Sequence, residues 1–97
     1  MRLTPQQIEI ILSRTRHWLG ESAHVQLFGS RSDDSANGGD VDLLIETPRL
    51  PDPWRQAQLQ ADLEYRLGLS VDLVFAAPDS PERPITHIAR ATGIPLT

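Results

Sequence analysis

Ninety-seven residues suffice for one hydrophobic core, so the expectation is a single domain over 1–97. Thirteen acidic residues against nine basic ones leave a net charge of −4, which disfavours non-specific binding to a nucleic-acid backbone. Cysteine is absent and all nine cations are arginine, which excludes disulfides, thiolate chemistry, cysteine-held metals, Schiff-base lysines and the lysine-dependent phosphate loop. Residues 1–6 lead into no signal-like apolar stretch. The longest apolar run, at 73–77, is too short to span a bilayer, so the composition predicts a soluble, cytoplasmic chain with no membrane partner.

Thr4 followed by Pro5 and Gln7 reads as a helix start, with Thr4 as N-cap and Gln7 closing a capping box. Ile8, Ile11, Leu12, Thr15, Trp18 and Leu19 then recur at helical spacing, and Gly20 sits where a glycine cap belongs. This predicts a helix over about 5–19. Residues 24–28 read as a short strand ending at Gly29-Ser30. The Ser-, Asp-, Asn- and Gly-rich stretch 30–39 reads as a loop with room for one helical turn. Residues 40–46 alternate, placing Val41, Leu43 and Ile45 on one face and Asp40, Asp42, Leu44 and Glu46 on the other.

Asp52-Pro53 repeats the helix-start signature and opens a helix over about 54–67. Its buried side is assigned to Leu59, Leu63 and Leu67, with Trp54, Ala57 and Ala61 flanking, and Tyr65 is read as a packing residue. Residues 69–76 predict a third strand with Val71, Leu73 and Phe75 opposite Asp72 and Val74. Residues 85–92 allow a short helix, and the rest of 77–97 reads as a proline-rich tail. The pattern describes a small α/β (α+β) domain, a mixed sheet with helices on one face and its aspartate-bearing face open.

Aspartate is depleted in strands, so Asp40, Asp42 and Asp72 call for a reason. Asp40 and Asp42 share a face about 6–7 Å apart, and Asp72 converges with them if its strand lies alongside. Carboxylates that close repel one another, and a divalent cation relieves the repulsion; oxygen donors without histidine or cysteine suit magnesium or manganese, or calcium in a larger cage. Taken singly, an Asp-x-Asp pair is most often solvated, Asp72 reads as a strand-edge residue and Gly29-Ser30 as an ordinary turn. The ordered combination is far more specific. His17, His24 and His87 show no ligand spacing, and Arg83 and Arg90 read as solvated tail residues.

The run Leu27-Phe28-Gly29-Ser30-Arg31, followed by Gly38-Gly39-Asp40-Val41-Asp42-Leu43-Leu44-Ile45, resembles the signature of the polymerase-β-type nucleotidyltransferase superfamily. More narrowly it resembles the minimal nucleotidyltransferases (MNT) that serve as antitoxins beside HEPN-domain ribonuclease toxins. The resemblance covers about 5–76. It implies a polymerase-β-like nucleotidyltransferase fold and an enzyme that transfers AMP from ATP to a tyrosine hydroxyl of the cognate toxin. It further implies a triphosphate held by Gly29 and Ser30, with Arg31 adding charge, and two magnesium ions (or manganese) held by Asp40, Asp42 and Asp72, the catalytic carboxylates. The partners implied are ATP and the HEPN toxin in a hetero-oligomer, with no direct nucleic-acid contact. Two departures stand out: Asp33 and Asp34 occupy a loop that is basic in many relatives, and the acceptor-holding domains of larger relatives have no counterpart. A catalytically silent antitoxin that acts by contact, and a transferase acting on a small molecule, are the alternative readings.

Overall fold

The computed structural model describes residues 3–28 and 40–96, Asp40 by its backbone. The expectations for Gly29, Ser30, Arg31 and the loop after them lie outside these residues. Helix α1 (Pro5–Leu19) begins as its sequence predicts. Thr4 is extended at φ −76°, its hydroxyl accepts the Gln7 N–H at 3.1 Å, and Gln7 Oε1 accepts the Thr4 N–H at 2.9 Å. At its far end Gly20 takes φ 91°, which favours glycine. Strand β1 (His24–Phe28) follows, then β2 (Asp40–Glu46) and helix α2 (Pro53–Leu67), which Asp52 caps through the Arg55 N–H at 2.7 Å. Gly68, left-handed at φ 69°, ends α2 and turns the chain into β3 (Ser70–Ala76). Helix α3 (Pro84–Thr92) and a two-residue strand β4 (Ile94–Pro95) complete the described chain.

The sheet order is β3-β2-β1-β4. β1 is antiparallel to both its neighbours, whereas β2 and β3 run parallel and are joined through α2, as a parallel crossover requires. One face carries Val25, Leu27, Val41, Leu43, Ile45 and Val71, which bury against Ile11 of α1 and Leu59 and Leu63 of α2. Burial of so many branched side chains, at about 1.5–3 kcal/mol each, is what holds the two helices to the sheet.

A carboxylate clamps the two helices beside that core. Asp62 of α2 accepts hydrogen bonds from Arg14 Nε at 2.7 Å, Trp18 Nε1 at 2.9 Å and Arg66 Nε at 2.6 Å. Burial alone would raise the Asp62 carboxyl, but the Trp18, Arg66 and Arg14 donors outweigh it and hold the group at about 2, below its ordinary 3.8. Trp18 also meets Trp54 edge-on, with ring centroids 5.9 Å apart.

Three expectations are corrected. Trp54, Ala57 and Ala61 do not flank a buried side, since all three are exposed, and Tyr65 stands 88% exposed instead of packing. A 15-residue helix on a small sheet has too little core to cover more than its Leu59–Leu63 stripe. The aspartate-bearing face is not left open either. α3 lies across it, where Ala89 joins a cluster with Phe28, Leu44, Ala76 and Val74. The residues after α3 are no free tail: β4 pairs with Gln26 and Leu27 of β1, and the Leu96 N–H reaches the Val25 carbonyl at 2.9 Å. Among the described residues no helix is long and apolar enough to cross a membrane.

Candidate active site

Strand register decides where the aspartates stand. Core packing aligns Val41 with Val71 and Leu43 with Leu73, and therefore sets Asp42 abreast of Asp72 on adjacent parallel strands. Neighbouring strands are about 4.8 Å apart, so the two residues are close neighbours facing away from the main core. Asp42 is half-buried and Asp72 exposed. Position 40 pairs with Ser70, two residues before the Asp42–Asp72 rung, and alternation assigns it to the same face. On the other side of β2, Phe28 pairs with Asp42 and is the last residue of β1. Because β1 runs against β2, β1 ends at the rung that carries Asp42.

The carboxylates therefore line one rim of the sheet, where β2 and β3 begin and β1 ends, and α3 lies across the same face. Among the described residues no three His, Cys, Asp or Glu side chains form a metal cluster; Asp42 and Asp72 make two. Their chemistry, that of carboxylate oxygens, fits a hard divalent cation.

The opposite rim has a different character. A cavity of about 610 Å³ is lined there by His24, Glu46, Thr47, Ala76 and Arg90, among others. Arg90 of α3 bonds Glu46 through Nε at 3.3 Å and Nη2 at 3.1 Å, and pairs with Glu82. These contacts tie α3 to the sheet, a role that a reading of Arg90 as a solvated tail residue missed. The available signal was the helical spacing of Thr86, Ala89 and Gly93, the small residues that let α3 approach β1. The register of Asp72 also had a signal in the sequence: Val-Asp-Leu occurs at 41–43 and again at 71–73, and the two copies pair residue for residue.

A family model described as nucleotidyltransferase domain matches residues 8–91. Among solved structures, the chain is similar to that of a complex of tri-AMPylated Shewanella oneidensis HEPN toxin with MNT antitoxin. The TM-score there is 0.75 at 22% identity, over 95% of this chain and 70% of the other. It is also similar to a toxin–antitoxin structure with AMP-PNP, with a TM-score of 0.78 at 22% identity over 93% of this chain and 72% of that one. A third likeness is to the toxin–antitoxin MntA-HepT, at TM-score 0.76 and 19% identity over 97% and 72%. A search of curated proteins finds no match. At these identities the structural likenesses establish the fold, whereas the family match takes in both strands of the carboxylate rim and the segment between β1 and β2. The chain belongs to the nucleotidyltransferase domain family.

Proposed function

We propose that the chain transfers AMP from ATP to a hydroxyl on a protein, a tyrosine of a cognate HEPN-domain ribonuclease toxin, and thereby acts as its antitoxin. The observation that carries the reading is the rung that sets Asp42 beside Asp72 at the rim where β1 ends. Similarity in fold to an MNT antitoxin solved with a tri-AMPylated HEPN toxin, and to a toxin–antitoxin structure with AMP-PNP, supports the choice of nucleotide and acceptor.

In this reading Gly29 and Ser30 hold the triphosphate through backbone N–H groups and a hydroxyl, and Arg31 adds charge to it. Asp40, Asp42 and Asp72 would hold two magnesium ions, or manganese. Bound there, such ions supply charge neutralisation at the phosphoryl oxygens and a lowered pKa for a coordinated hydroxyl. The acceptor oxygen bonds to the α-phosphorus, the bond from that phosphorus to the bridging oxygen breaks, and pyrophosphate leaves with the electron pair. Asp72, the most exposed of the described carboxylates on the rim, takes the hydroxyl proton. Positioning and electrostatics carry the step.

The test combines the purified chain, ATP labelled at the α-phosphate, magnesium and the HEPN-domain protein encoded beside it. Label is expected on that protein. Asp42→Asn and Asp72→Asn should each lower the transfer rate by about 100-fold or more while melting within a few degrees of the parent. Undiminished labelling in both variants would discard the assignment. Neutralisation of the toxin that survives without labelling would favour an antitoxin acting by contact.

A further inference from the structure

Strand β3 forms one edge of the sheet, and the direction of its free groups can be read from its hydrogen bonds. The Ala76 carbonyl accepts the Thr47 N–H at 2.9 Å, so Ala76 faces β2. Val71 faces the other way: its N–H donates to Glu64 Oε2 at 2.9 Å and its carbonyl accepts from Gln60 Nε2 at 3.0 Å, both from α2. Backbone direction alternates along a parallel strand, so Leu73 and Phe75 also point their N–H and C=O groups outward. Among the described residues no hydrogen bond reaches those four groups.

Edge strands are usually blunted by proline, lysine, a bulge or a covering segment. Here α2 closes only the first outward residue, Val71, while Leu73, Val74 and Phe75 carry no charge and no proline. What remains is two donors and two acceptors repeating at about 6.6–7 Å, a pattern that an extended backbone complements. This free stretch begins one residue after Asp72.

We propose that the outer edge of β3 at Leu73 and Phe75 receives an extended segment of the acceptor protein as an added strand, which sets its hydroxyl-bearing residue abreast of Asp72. The inference rests on protein-directed transfer as proposed above. A residue paired across from Asp72 projects from the same face with its Cβ about 5 Å away, so strand addition alone delivers the hydroxyl to the rim. A second copy of this chain is the poorer occupant. Each copy carries a net charge of −4, and self-pairing at this edge would bring two Asp72-bearing faces together.

Residue-resolved amide exchange, measured on the full chain alone and with the co-encoded HEPN-domain protein, tests this directly. Exchange at Leu73 and Phe75 should slow by about 10-fold or more in the complex, with little change at Asp72 and Val74, whose amides already face β2. Leu73→Pro removes an outward N–H and no rung to β2. It should retain the thermal shift given by magnesium and ATP and lose about 10-fold in kcat/KM for transfer. Unchanged exchange at both amides, in a complex where AMP transfer proceeds, overturns the inference and leaves the parent reading standing. Protection that grows with the concentration of the chain alone assigns the edge to a second copy and overturns it too. Absence of transfer by the unaltered chain removes the parent reading and this one with it.

Discussion

At the scale of single residues, Asp62 and Gly93 show how little room the fold leaves. The Asp62 carboxyl is held at about 2 in the folded chain against an ordinary 3.8. Its contribution is therefore complete above about pH 4 and is lost as pH falls from about 4 toward 2. With a partly exposed Arg66 among the donors, that contribution is on the order of 1–2 kcal/mol. Asp62→Asn should lower stability by about 1–3 kcal/mol at neutral pH and narrow the gap to the parent near pH 2, as urea melts at the two pH values will show. Gly93 has an ordinary extended backbone at φ −73°, so its need for glycine is spatial. A Cβ there would stand 2.4 Å from Gln26 Oε1 and 2.6 Å from the Ala89 carbonyl. The carbonyl belongs to α3 and cannot swing aside, so Gly93→Ala should cost about 1–3 kcal/mol in a denaturant melt and loosen the β4 pairing. The Asp62 clamp was not visible in the sequence. Asp62 sits on a helix face that looks solvated until α1 brings Arg14 and Trp18 to it.

Among the elements, helix ends and strand faces were the legible part, because both are set by neighbours in the chain. Thr4, Pro5 and Gln7 specify the start of α1, and the structure has the reciprocal hydrogen bonds they predict. Thr4→Ala should accordingly cost about 1 kcal/mol of stability, read from the thermal midpoint. The alternation of β2 and β3 likewise gave the correct core faces, with Val41, Leu43, Ile45 and Val71 buried. The surroundings of α2 and α3 were less legible. Nothing local to Trp54 or Tyr65 says that the core stops short of them, and nothing local to Ile94 says that β1 has an edge to fill. Such features depend on residues distant in sequence. The Asp-x-Asp pair was readable as chemistry, whereas its meeting with Asp72 depended on a register that only the packed sheet fixes.

For the molecule as a whole, carboxylates crowd one rim of a chain that already carries a net charge of −4. Divalent cations should therefore stabilise the folded state by mass action. Millimolar magnesium is expected to raise the thermal midpoint by a few degrees, and the rise should shrink in Asp42→Asn and Asp72→Asn. An equal rise in all three proteins would place the ion elsewhere. The antiparallel setting of β1 against β2 has a consequence for how such a chain diversifies. The polypeptide departs from Phe28 and re-enters at Asp40 on the same border of the sheet, and α1 and α2 pack without spanning that interval. Ser70 and Asp72 stand exposed on that border, so exchanges at such positions leave the buried layer of Val41, Leu43 and Val71 intact. Selection can vary the chemistry of the border there with little penalty to folding.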